Sequence, residues 1–168
     1  MKYLLACLLI PGTLHAQSGP RSAQEELIGT KLDRISITHY LLNEPSNKDY
    51  DGKFKVLEFW ATWCRPCLAA VPHLNKVQES LKGEDIVFLS VTNEGPGKAA
   101  TAFRRVKFET IVVSDTTFTL HRALRILYDD TMGLPRTVLL DRDNKILWYG
   151  SPHKLSRKFM LGFMKKED

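Results

Sequence analysis

Cys64 and Cys67 lie two residues apart in the stretch FWATWCRPC, residues 59–67, and the only other cysteine of the chain is Cys7 near its start. Two cysteines at positions i and i+3, where a helix begins, can bring their sulfurs within bonding distance. The first then stays at the exposed helix N-terminus and the second turns inward. The partial positive charge and free N–H groups of that terminus favour a thiolate by roughly 0.3–2 kcal/mol, up to about 1.5 pKa units. Cys64 is therefore the expected nucleophile. A lower pKa also weakens intrinsic nucleophilicity, so the gain in attack is only about threefold. The larger benefit is that Cys64 becomes a better leaving group when Cys67 attacks a mixed disulfide.

Other chemistries fit this pair less well. A structural zinc site needs four ligands, and there is no second cysteine pair or tight His-x-His spacing to complete one. Covalent haem attachment needs a histidine directly after the second cysteine, where this chain has Leu68. A purely structural bridge closing so short a loop does little to constrain the unfolded chain. The expectation is thiol–disulfide exchange with no metal and no cofactor beyond the redox-active Cys64–Cys67 disulfide itself.

Neighbouring residues add to the candidate site. Glu58 interrupts the apolar run VLEFW, and burying it would raise its pKa above the usual carboxylate range. Trp63 is expected as an apolar lip beside Cys64, and Trp60 as core beneath it. Arg65 can steady the Cys64 thiolate or meet an acidic client, or it can stand uninvolved in solvent. His73, His121 and His153 have no spacing that suggests a metal site, and His73 is expected to face solvent or pack on its helix.

These residues require elements that position them. Lys55 to Trp60 is an apolar run of strand length, and Arg65 to Leu81 switches to helical spacing, with Ala70, Leu74, Val77 and Leu81 on one stripe. Further strands are expected at 35–42, 85–91, 110–113, 136–140 and 145–149. Helices are expected near 97–107 and 117–127 and over the segment carrying Leu155, Phe159, Met160 and Phe163. The turn DRDN joins the last two strands as a hairpin. Strands alternating with helices and then a hairpin imply an α/β fold, its central sheet parallel in the middle and antiparallel at one edge.

The chain is 43% hydrophobic and 26% charged with a formal net charge of +5, ordinary values for one globular domain, with no repeat. Arg104, Arg105 and Lys107 form the densest basic cluster; interleaved with Phe103, Val106 and Phe108, they are read as a solvated helix face and not as a nucleic-acid patch. The first 18 residues, with Lys2, an apolar run from Tyr3 to Ile10 and small residues at Ala16 and Ser18, have the pattern of a secretory signal peptide. Residues 19–29 are expected to be a flexible, exposed connector, and 30–168 the folded domain.

The stretch from Phe59 to Cys67 resembles the active site of thioredoxin-fold proteins, and is most similar to the exported disulfide reductases of the TlpA/ResA type. The resemblance spans roughly residues 30–165. It includes Pro72, five residues after Cys67 where these proteins kink the active-site helix, and Gly133-Leu134-Pro135 before a strand. It implies a thioredoxin-like three-layer sandwich in which Pro135 is cis and lies against the cysteines. Leu134 and Pro135, with Trp63, Arg65 and Pro66, would then line a groove for an extended client segment. It further implies that Glu58, six residues before Cys64, relays a proton to or from Cys67. The lysine that accompanies this acid in thioredoxins is Phe88 here, the acid that some exported reductases carry three residues after the second cysteine is Ala70, and Arg65 replaces thioredoxin's usual glycine. Also implied are a monomer in the periplasm acting in redox homeostasis, protein disulfides as clients, apocytochromes of cytochrome c biogenesis among them, and a membrane thiol transporter as electron donor. Two rival readings are a groove that binds clients as a chaperone without turnover and a peroxiredoxin-like peroxidase. For the peroxidase, the usual threonine three residues before the reactive cysteine is replaced by Ala61.

Overall fold

A computed structural model describes residues 20–167; the expected signal peptide lies outside the described residues. Six strands form the central sheet in the order β1-β4-β3-β2-β7-β8. They are β1 His39–Leu42, β2 Phe54–Phe59, β3 Ile86–Thr92, β4 Ile111–Ser114, β7 Arg136–Leu140 and β8 Ile146–Gly150. β3 runs parallel to both β2 and β4, while β1, β7 and β8 pair antiparallel. The mixed sheet expected from the alternation of elements is therefore present, with antiparallel strands at both edges. A small hairpin of β5 Leu127–Tyr128 and β6 Thr131–Met132 lies outside it.

All six residues of β2 are buried, which is why the strand reads as a continuous apolar run broken only by Lys55 and Glu58. Side chains alternate between faces along a strand, so Leu57 and Phe59 point to one side of the sheet and Val56, Glu58 and Trp60 to the other. The first side packs on Leu120 and Leu124 from helix α4, Thr119–Ala123, and the residue that caps it. The second is covered by α2, Arg65–Ser80, by α3, Pro96–Phe103, and by α5, Arg157–Glu167. Helices on both faces of one sheet give the three-layer sandwich.

Lys55 escapes the usual cost of a buried cation by donating to the carbonyl of Arg142 at 2.8 Å. Burial still holds its pKa below the ordinary lysine value.

Several local expectations change. The first extended segment, expected at 35–42, is regular only over β1, and the helix expected at 117–127 stops at Ala123 because the chain turns into the β5–β6 hairpin. The exposed connector contains a short helix, α1, Pro20–Glu25. Ala23 and Gln24 are buried there, and the Gln24 amide donates to the Arg125 carbonyl at 2.9 Å while its oxygen accepts from Arg136 at 2.7 Å. Burial and these paired polar groups tie the segment down, which its polar composition did not suggest. The basic cluster likewise lies past the end of α3: Arg105 reaches the Thr62 carbonyl at 3.4 Å and Lys107 pairs with Glu109 at 2.9 Å.

Candidate active site

β2 ends at Phe59, and a short turn, residues 60–63, leads into α2. Cys64 occupies the N-cap of that helix, and its sulfur accepts from the Cys67 backbone N–H at 3.3 Å. Pro66 falls in the first helical turn, where a missing N–H costs nothing because that group would have no intrahelical acceptor. Pro72 sits inside α2 and removes the bond its nitrogen would make to the Leu68 carbonyl. Cys64 and Cys67 are joined as a disulfide, their Cα atoms 5.3 Å apart. The i, i+3 spacing thus brings the two sulfurs within bonding distance, as expected.

Exposure differs from the sequence reading at one point. In this oxidised state Cys64 is 3% exposed and Cys67 fully buried, whereas Trp63 is 61% exposed and Arg65 and Pro66 also face solvent. The open surface is therefore the rim, and the outer sulfur lies just beneath it. Trp60 is fully buried against Phe108 and Phe103, with ring centroids 4.8 and 6.3 Å away, so it is core, as anticipated. The Leu134–Pro135 peptide is cis, as the resemblance implied, and half-buried Leu134 packs against the cluster containing both cysteines. Pro135 immediately precedes β7, which spares the ladder a missing donor.

Glu58 is 2% exposed, and neither carboxyl oxygen has a hydrogen-bond partner among the described residues. Desolvation pushes its pKa up to about 8. Neither neighbouring strand brings a cation to it: Phe88 stands opposite Val56, and the residue opposite Glu58 on β3 is Ser90, whose hydroxyl is already engaged with Thr110 at 2.7 Å. On the other flank Glu58 faces Thr137 of β7, another buried side chain without a partner among the described residues. Strand alternation puts Glu58 on the same face as Trp60, beneath the helix that carries Cys67.

The histidines stand apart from this chemistry. His73 bonds the Leu155 carbonyl at 3.0 Å, and His121 is buried with Asp115, 2.8 Å from its carboxylate. No group of three or more potential metal-ligating side chains occurs among the described residues.

One residue beside the cysteines carried no signal in the sequence. Glu94, in the NEGPG loop after β3, is 6% exposed and accepts from the Thr62 N–H at 2.7 Å and the Thr62 hydroxyl at 2.9 Å. A loop glutamate is usually solvated, so nothing in the local pattern marks it; only the approach of the β3 and β2 loop ends does.

A thioredoxin-like sandwich with a Cys-x-x-Cys pair heading its active-site helix, and a cis Leu134–Pro135 peptide whose leucine packs on the cysteine cluster, defines a thiol–disulfide oxidoreductase. The Redoxin family profile matches residues 29–157, and the chain belongs to that family. Among its relatives, the thiol-disulfide oxidoreductase ResA of Geobacillus kaustophilus is 27% identical over 143 residues, covering 84% of this chain and 73% of that protein. A ResA of Bacillus cereus is 24% identical over 148 residues, covering 86% and 80%. Among solved structures, a thiol-disulfide isomerase from Corynebacterium glutamicum superposes with a TM-score of 0.58 at 19% identity, over 81% of this chain and 93% of that one. StoA from Bacillus subtilis does so with 0.54 at 16%, over 68% and 84%. These two likenesses concern the fold. The TlpA/ResA type anticipated from the motif is the type to which the relatives point.

Proposed function

We propose that this chain reduces disulfides in exported client proteins, using Cys64 as nucleophile, Cys67 as resolving thiol and Glu58 as proton acceptor. The Cys64 thiolate attacks one client sulfur, forming a mixed disulfide while the other client sulfur leaves as a thiolate. Cys67 then gives its proton to Glu58, and its thiolate attacks the Cys64 sulfur. The Cys64–Cys67 disulfide forms, the second client thiolate departs, and two electrons have passed from protein to client. A membrane thiol transporter acting as a dithiol donor must return them.

The observation that carries this reading is Cys64 at the N-cap of α2 with its sulfur on the Cys67 N–H. That geometry stabilises a thiolate on Cys64 and keeps Cys67 within bonding distance of it. Trp63, Arg65, Pro66, Leu134 and Pro135 form the client-binding rim, and an apocytochrome segment presented in extended form suits such a groove. The reading places the protein in the periplasm as a monomer, delivered there by the signal pattern of residues 1–18; among the described residues no helix is long and apolar enough to cross a membrane.

Insulin reduction tests the reading. Loss of turnover in Cys64→Ser with client binding retained supports it, and wild-type turnover in that variant excludes it. Client binding without turnover in the wild-type protein would instead select the chaperone reading, and peroxide consumption the peroxidase one.

A further inference from the structure

We propose that Glu94 is a positioning residue for the exchange reaction, holding the turn that delivers Cys64 to the head of α2; this rests on Cys64 being the attacking thiol. The Glu94 backbone is itself fixed to the centre of the sheet. Its N–H donates to the Thr92 hydroxyl at 3.3 Å, and its carbonyl accepts from the hydroxyl of fully buried Ser114 at 2.8 Å. From this anchor the side chain, 4% exposed, reaches across to Thr62 and takes one bond on each oxygen, from the backbone N–H and from the hydroxyl. Lys98 closes the third side at 2.9 Å, but it is 63% exposed, so that ion pair contributes little.

The turn needs such an anchor. Ala61 and Cys64 at its two ends are buried in the core, but between them Thr62 is only half-buried and Trp63 points into solvent, and Arg65 and Pro66 beyond are exposed, so core packing does not fix Thr62 and Trp63. What fixes them is polar. The Cys64 N–H donates to the Ala61 carbonyl at 3.0 Å and Arg105 donates to the Thr62 carbonyl at 3.4 Å, leaving the Thr62 N–H and hydroxyl to Glu94. A carboxylate accepting two hydrogen bonds inside the protein is stronger than a neutral acceptor, and losing it strands both donors. A shift of the turn moves the Cys64 sulfur off the Cys67 N–H and away from the positive end of the helix. Displacements on the order of 1 Å can cost about 100-fold in rate.

Two substitutions separate geometry from charge. Glu94→Gln can still accept the Thr62 N–H on its oxygen and donate to the Thr62 hydroxyl from its amide, whereas Glu94→Ala can do neither; both lack the negative charge. The reduced full-length protein carrying each substitution is alkylated with iodoacetamide across pH 5 to 10, and thermal unfolding is recorded beside it. The titration midpoint of Cys64 in Glu94→Ala is expected at least about half a pH unit above that in Glu94→Gln, with insulin turnover at least about tenfold lower. A brace that merely stabilised α3 would change the unfolding temperature and leave the two midpoints coincident, and coincident midpoints overturn the proposal. Should Glu94→Ala not fold, Thr62→Val carries the test, because it removes one donor and keeps every charge. Alkylation at pH 7 slowed at least about threefold supports the clamp, and an unchanged rate overturns it. If the wild-type protein turns over no disulfide, the functional reading fails, yet the alkylation comparison still decides the role of Glu94.

Discussion

Glu58 and Thr137 stand opposite each other across the β2–β7 ladder, both buried, and neither side chain hydrogen-bonds to any described residue. Two polar groups left open beneath the helix that carries Cys67 give the site a local polarity that packing alone would not. The carboxyl pays for its burial in protonation: at neutral pH most molecules hold the proton, and the ionised minority, which grows towards pH 8, is what takes a proton from Cys67.

That exchange predicts a pH signature for resolution. Accepting the Cys67 proton requires ionised Glu58, so the rate at which Cys67 resolves a mixed disulfide should rise as pH passes through about 8. In Glu58→Gln the rise should move to the titration of Cys67 itself, with resolution at pH 7 slowed roughly 10²-fold or more. Stopped-flow decay of a preformed mixed disulfide with a fluorescent peptide reads both. Identical profiles in the two proteins would remove Glu58 from the mechanism.

Stability should follow the same group with a definite sign. Between the ordinary carboxyl value of 4.5 and about 8, the unfolded chain has released a proton that the folded chain keeps. Stability therefore falls as pH rises through that window, levels off above it, and the full cost is on the order of 5 kcal/mol. Urea denaturation of Glu58→Gln should show no such decline, the gap between variant and wild type widening from pH 5 to pH 8. Parallel curves would contradict the buried, neutral acid.

Thr137→Val tests the other half of the pair. A buried hydroxyl without a partner carries a desolvation cost and no compensating bond, so its replacement by a methyl should be neutral or stabilising, by about 0–1 kcal/mol in urea unfolding. A loss greater than about 1 kcal/mol would mean that the hydroxyl is satisfied, through water or through Glu58.

Trp63 should matter to clients and not to the fold. At 61% exposure its truncation to Ala is expected to change stability by less than about 0.5 kcal/mol. The KM for a protein disulfide should rise severalfold while reduction of a small aromatic disulfide stays near wild type. Equal effects on both substrates would place Trp63 in the chemical step.

Cys67→Ser should trap the reaction halfway. Cys64 can still attack, but nothing resolves the product, so covalent complexes with client proteins should accumulate on non-reducing gels and vanish with dithiothreitol. Absence of such complexes in Cys67→Ser, with a client that the wild-type protein reduces, would argue against Cys64 as the attacking thiol.

By itself the sequence determined the chemistry and most of the frame. The spacing of Cys64 and Cys67 brings their sulfurs together at one helix end, because an i, i+3 pair in a first helical turn shares one face. The unbroken apolar run of β2 marks a central strand, and Glu58 within it reads as a buried acid. Those features are legible because they depend on neighbours along the chain. The docking of Gln24 between Arg125 and Arg136, the pairing of Glu58 with Thr137 instead of a cation, and the grip of Glu94 on Thr62 join residues 32 to 112 positions apart. No local pattern encodes such contacts. They exist only once the whole sheet and its flanking segments have assembled, and it is where the parallel strands β2 and β3 bring their loop ends together that a solvent-type glutamate becomes a buried clamp.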